Sequence, residues 1–365
     1  MTVHLDDERM IKILRGSVAA LACLVAGQAA LGFLGLWGQG SASAWLLALV
    51  VTAVFFVTVR AGFLSIRQPL FANRSSWEAG LALALAVAFA SRCGSAVGGE
   101  LFFYDAISYH LHFASSWMHT GQLEIVPTVF GDLAPAYGAS NVELVSHALM
   151  TVLHSAYLAQ AAQLPFLWIG LLALMSTVRE LGGTRAGALA AALAFLMIWE
   201  VWLQSAIAMV DVALASLFVA MLPFLIRLWR SPSRRDLVSL SLALGLFVGT
   251  KSLALLFGLP LLVAGAWILW RQRDCLPGAA SLVGWAGFCL SLVIATGGFW
   301  YLRNWIVTGN PIFPVEVQLG PLVLFDGIYT PATMREWEWH YSVWSLDDFA
   351  RLLLSAGIGF VFSGM

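Results

Sequence analysis

A carboxylate, a phenol and an imidazole fall together in Tyr104-Asp105-Ala106-Ile107-Ser108-Tyr109-His110. On a helix Asp105 and Tyr109, four apart, share one face, and His110 sits about 100° round from Tyr109. A carboxylate so placed can act as a general base or ligate a cation. Asp is also a good N-cap for a helix beginning near Ala106, and the two roles are compatible. Glu200 and Gln204 stand one helical turn apart. Asp211 follows Ala208-Met209-Val210 and opens an unbroken apolar run, a position suited to a helix N-terminus. It reads as a cap or as an acid facing a cavity, because ionisable groups at membrane depth are costly without a partner.

Two cations complement these acids. Lys251, one of only two lysines, sits in Gly249-Thr250-Lys251-Ser252 between apolar runs. It reads as a phosphate or carboxylate partner, or more plainly as a snorkelling side chain. Arg303 and Asn304 follow Trp300-Tyr301-Leu302 and precede the turn signal Thr308-Gly309-Asn310-Pro311. The planar fork of an Arg suits phosphate oxygens, and Trp300, Tyr301 and Trp305 suit an interfacial aromatic belt. His110, His112, His119, His147 and His154 fit no compact zinc motif. A divalent cation held by carboxylates such as Asp105 and Asp211 is the more plausible metal reading; the cofactor is otherwise unknown.

The elements that must position these residues are membrane spans. Of 365 residues 60% are hydrophobic and 11% charged, with mean hydropathy +0.85, against about a quarter charged in a soluble domain. Apolar runs long enough to cross a bilayer recur. Spans are expected near 16–37, 44–60, 79–98, 157–178, 186–200, 210–228, 237–250, 253–270 and 280–300. Polar-aromatic excursions cover about 99–156 and 301–346, and a last apolar stretch reaches Met365. The expected class is all-α: a polytopic helical membrane protein of about nine to ten transmembrane helices with a helical first long outer loop. The first run is longer than a signal-peptide core, although Ser41-Ala42-Ser43-Ala44 resembles a cleavage site, so a retained first span is expected. Cys23, Cys93, Cys275 and Cys289 form no CxxC pair and read as apolar filler.

Lys and Arg mark every second connection: Arg9, Lys12 and Arg15; Arg60, Arg67 and Arg74; Arg179 and Arg185; Arg227, Arg230, Arg234 and Arg235; Arg271 and Arg273. The positive-inside rule then puts the amino terminus in the cytoplasm and both excursions outside. Most acids and six of the seven histidines fall on the outer side, which predicts that one face carries almost all the titratable chemistry. There is no repeat of fixed period. The final run ends without basic residues, as expected of a fragment.

Tyr104-Asp105-Ala106-Ile107-Ser108-Tyr109-His110-Leu111, Gly121-Gln122-Leu123 and Asn141-Val142-Glu143-Leu144 resemble the first outer loop of C-type (GT-C) membrane glycosyltransferases. The similarity is to the broad bacterial group related to protein mannosyltransferases and lipid A aminoarabinose transferases. Asp211, the Lys251 turn, and Arg303-Asn304 with the following Gly309-Asn310-Pro311 resemble later landmarks in the same order. The likeness covers about 79–320, within a single transmembrane domain over 1–365 that carries two additional N-terminal spans in 1–78. The chain departs from the family pattern in having one acid in the first motif, not an adjacent pair.

The resemblance implies an inverting glycosyltransferase of the bacterial inner membrane with a periplasmic site. The donor would be a polyprenyl-phosphate sugar and the acceptor a lipid, glycan or protein; membrane lipids are the other partners, and nucleic acid is not expected. Asp105 and Asp211 would be the catalytic acids. Lys251 and Arg303 would hold the carrier phosphate, and Tyr109, His110, Glu143, Gln204 and Asn304 would line the substrate site. The rival reading is a multi-span transporter or lipid-sugar flippase, disfavoured because transporter sites tend to lie at the midplane between repeated halves.

Overall fold

The computed structural model describes residues 2–37, 52, 75–100, 103–231, 233–271, 279–330 and 333. The expected span at 44–60, the last apolar stretch, and Arg60, Arg67, Arg74, Arg273 and Cys275 lie outside the described residues. The described chain is mostly helical. Its helices are α1 (Thr2–Phe33), α2 (Ser76–Gly98), α3 (Leu111–Thr120), α4 (Leu133–Ala136), α5 (Asn141–Leu153), α6 (Ala156–Ala159) and α7 (Leu164–Glu180). They continue with α8 (Arg185–Leu196), α9 (Trp199–Gln204), α10 (Asp211–Arg230), α11 (Arg234–Val248), α12 (Ala254–Arg271), α13 (Ala279–Val293) and α14 (Phe299–Thr308). π-turns at Ala106–His110 and Ile294–Gly298 lead into α3 and α14.

Among the described residues, five stretches are long and apolar enough to cross a membrane: Asp7–Phe33, Ser76–Gly98, Ala156–Glu180, Asp211–Arg230 and Val283–Thr308. They match the expected first, third, fourth, sixth and ninth spans. The expected fifth and seventh fold as helices of 12 and 15 residues, about 18 and 22 Å at 1.5 Å per residue, short of an ~30 Å core. The expected eighth is an apolar helix over Ala254–Ile268.

Local signals set the ends. Ser75 caps α2 by accepting from the Glu78 amide at 3.3 Å, in a Ser-x-x-Glu sequence. Thr184 caps α8 and Ser233 caps α11 in the same way. α7 and α10 pack closely because Gly170 has no side chain: a Cβ there would lie 2.6 Å from Ser216 Oγ, the small-residue contact that membrane helices use. Leu14, Val18, Phe166, Leu217, Phe224 and Phe247 join α1, α7, α10 and α11 in one buried core.

The arginines at one end of these helices are engaged by acids. Arg179 holds both carboxylate oxygens of Asp7 at 2.7 and 2.9 Å. Arg227 meets Glu8, Glu180 and Asp236, Arg230 meets Glu180, and Arg15 donates to the buried Asp236 at 3.2 Å. This corrects the expectation that one face carries almost all the titratable chemistry: the basic connections have their own carboxylates.

The chain divides into two compact units, Met1–Tyr301 and Leu302–Met365. In the second, the end of α14 is followed by an antiparallel hairpin of β1 (Val317–Leu319) and β2 (Leu322–Phe325), which the sequence reading did not foresee. Asn310, buried, holds its base: Nδ2 donates to Val315 O at 2.8 Å and Asp326 O at 2.9 Å, and Oδ1 accepts from the Ile312 amide.

Candidate functional site

Asp105 is half-buried in helical backbone at the head of the first π-turn, and its side chain makes no capping bond. The N-cap role is therefore not taken up, and the carboxylate is left for other work. Tyr109 hydrogen-bonds it, as the shared helix face requires. Burial, this bond to Asp105, and the charges of Asp105, Glu143 and Asp211 push the phenol well above its ordinary range. Tyr109 is thus a fixed donor, and three carboxylates lie within its electrostatic reach. π-turns inside helices are frequent at functional sites. Tyr104, beside Asp105, stacks on Phe130 with ring centres 5.3 Å apart, and both rings are exposed.

Asp211 is the first residue of α10, and its Oδ1 lies 2.7 Å from Lys251 Nζ. Each side chain is about two-fifths exposed, so this pair can open at little cost. Asp211 does not cap its own helix. Gln163, fully buried, takes that role from fifty residues away: its Oε1 accepts from the Ala213 amide at 3.1 Å. Its Nε2 donates to Gln204 O at 2.7 Å and Ile207 O at 3.2 Å. One amide thereby satisfies an orphan N–H of the helix start and fixes the turn before Asp211. Lys251 stands in the turn between α11 and α12, as expected.

His110 points inward, where its Nδ1 lies 2.6 Å from Glu143 Oε1; both side chains are nearly fully buried. Nε2 of His110, Oε2 of Glu143 and Oγ of Ser108 have no protein partner. Buried polar atoms without partners are uncommon and take water or a ligand. Glu143 sits in the first turn of α5, whose position is set by Asn141. Asn141 Nδ2 donates to Thr296 O at 2.8 Å and Leu246 O at 3.2 Å, and its Oδ1 accepts from the Trp300 indole at 2.9 Å. Its backbone amide donates to Gly249 O at 2.8 Å. A Cβ on Gly249 would overlap the Asn141 side chain, which accounts for glycine two residues before Lys251.

The fold thus brings together Asp105, Tyr109, His110, Glu143, Asp211 and Lys251. Gln204 ends α9, its Nε2 3.4 Å from Glu200 Oε2, and it enters the site through its backbone carbonyl on Gln163. Arg92 donates to Trp202 O at 3.1 Å and lies 3.7 Å over the Trp202 ring, bracing α9. Arg303 and Asn304 belong to the second unit, where the guanidinium donates to Asn304 Oδ1 at 3.2 and 3.0 Å.

The donor set does not suit a divalent cation. Among the described residues no three His, Cys, Asp or Glu are grouped to hold a metal ion, and the Lys251 ammonium already occupies Asp211 Oδ1. His147 instead stacks on Trp37 with ring centres 4.0 Å apart, and burial pushes it down to about 4. His112 meets Pro127 O at 3.2 Å. Gln163 and Asn141 are the functional positions that reading the sequence missed as positioners. A buried amide carries no local pattern that names its partner.

No protein-family model, curated protein or solved structure matches the chain.

Proposed function

We propose that the chain is a multi-pass membrane glycosyltransferase that moves a sugar from a polyprenyl-phosphate carrier to an acceptor hydroxyl with inversion. The supporting observation is the meeting of Asp105, Tyr109, Glu143, Asp211 and Lys251 where α10 begins. In this reading the long apolar helices cross a bacterial inner membrane, the amino terminus is cytoplasmic and the site is periplasmic.

Asp105 takes the acceptor proton, and the acceptor oxygen attacks the anomeric carbon. The bond from that carbon to the carrier phosphate breaks, and the electron pair leaves with the lipid phosphate. Lys251 exchanges Asp211 for a phosphate oxygen and stabilises the departing charge. Asp211 keeps the ammonium aimed before the donor arrives. Tyr109 orients the Asp105 carboxylate, and the His110–Glu143 pair holds the π-turn that presents it. The exposed Tyr104–Phe130 ring pair offers a stacking surface beside the base for a sugar ring. The resemblance alone assigns Arg303 and Asn304 to phosphate recognition.

The test is transfer from a radiolabelled polyprenyl-phosphate sugar in membranes carrying the protein. Asp105→Asn removes the base and lowers transfer by about 10²–10⁴-fold with unchanged membrane insertion and melting. Full transfer by that variant would overturn the assignment. Substrate uptake into vesicles with no glycosyl product would favour the transporter reading.

A further inference from the structure

Between Glu316 and Asp326 the chain reads Val317-Gln318-Leu319-Gly320-Pro321-Leu322-Val323-Leu324-Phe325, without a charge. Its strands pair Val317 with Phe325, Gln318 with Val323 and Leu319 with Leu322. A half-buried ribbon alternates apolar and polar residues along both strands; this one carries a single polar side chain, Gln318. Leu319 is 70% exposed and Leu322 59%, and Val323, Leu324 and Ile328 are exposed with them. A lone two-stranded hairpin is marginal in water, and a contiguous exposed apolar patch marks an interaction site.

We infer that the β1–β2 hairpin is an interfacial anchor whose side chains lie in the lipid of the bilayer that the helices cross. The occupant is named by continuity. Within the same unit the end of α14 exposes Leu302, Trp305, Ile306 and Val307, and this helix closes the Val283–Thr308 span. Asn310 ties the hairpin base to the turn that follows, so the ribbon stands where a spanning helix leaves lipid. A partner protein would cover one face; exposed apolar side chains on both faces, Leu319 and Leu322 on one and Val323 on the other, suit a fluid surround. The depth is bounded as well. Among the described residues the outer edges of β1 and β2 carry backbone groups with no ladder partner, which hydrocarbon does not tolerate. Glu316 and Asp326 flank the base in sequence and stay in water. The hairpin therefore lies at the headgroup–acyl boundary. The inference rests on the membrane reading and not on the transferase reading.

The experiment uses the full chain in nanodiscs of phosphatidylcholine and phosphatidylglycerol, with Cys23, Cys93, Cys275 and Cys289 replaced by Ser. A nitroxide is attached at Leu322→Cys, at Glu316→Cys, and at Leu83→Cys on the exposed face of α2 as a lipid reference. Paramagnetic resonance then compares collisions with oxygen, which partitions into lipid, and with a nickel chelate, which stays in water. The expected result is oxygen dominating several-fold at Leu322 and Leu83, and the chelate dominating at Glu316. Chelate access at Leu322, or protection there from both agents as under a protein cover, would overturn the anchor. Chelate access at Leu83 too would overturn the membrane reading itself.

Discussion

The two ends of α10 use the same residue types to opposite effect. At its last turn Arg227 and Arg230 join Arg15 and Arg179 against Asp7, Glu8, Glu180 and Asp236, four guanidiniums against four carboxylates. Asp236 is 1% exposed and holds two of the arginines. At its first residue, about 24 Å from Arg227 at 1.5 Å per residue, Asp211 pairs with one ammonium, and Asp105 and Glu143 join it in bearing on the Tyr109 phenol. Planar, bidentate Arg pairs close a structure; a part-exposed lysine among excess carboxylates leaves capacity for a ligand. Charge balance, more than charge count, separates the scaffold end from the candidate site.

Removing one group at each end tests this difference. Asp236→Asn leaves Arg15 beside a neutral amide and Arg227 with only Glu8 and Glu180, and breaking a buried pair costs about 3–5 kcal/mol. The expected outcome is a large drop in melting temperature in detergent, with residual activity per folded molecule unchanged. A melting point like the parent's would erase the contrast. Acid acts next in size, and on the other end. His147 shares α5 with Glu143, and its folded value of about 4 lies below the unfolded 6.5. The unfolded chain takes the proton first, so the stability that neutral His147 contributes is complete above pH 6.5 and is lost as pH falls toward 4. The window is worth about 3 kcal/mol, and melting followed from pH 7 to 4 should flatten in His147→Phe. The smallest expected effect is Asp211→Asn. Its pair is part-exposed, so stability changes by less than about 1 kcal/mol, whereas transfer falls because Lys251 loses its guide. Equal loss of melting temperature in Asp211→Asn and Asp236→Asn would collapse the comparison.

The fold was legible where length and hydropathy speak for themselves. Five spans and the turn at Lys251 could be read directly. The sharing of one face by Asp105 and Tyr109 survived the π-turn because a four-residue separation keeps the two side chains close. Other parts depend on distant partners. Nothing near Gln163 announces that its amide will start a helix at Ala213, and Glu143 lies 33 residues from His110. Arg15 and Asp236 are 221 residues apart, so a basic connection reads as unpaired until the helices are assembled. The hairpin hid for a different reason: β1 is only three residues long and β2, Leu322-Val323-Leu324-Phe325, does not alternate, so the run around Gly320-Pro321 carries no sustained period of two.

Asn141 has a consequence for access. With its side-chain amide and its backbone N–H both bonded to α11 and the corner before α14, the middle of the first excursion cannot swing as a flap over the carboxylates. At the far end of α5, His154 with a φ of 50° breaks the helical path. If the proposed transfer reaction holds, a lipid-borne donor would meet the middle of α5 as a stationary wall of the site, and it would enter sideways from the leaflet.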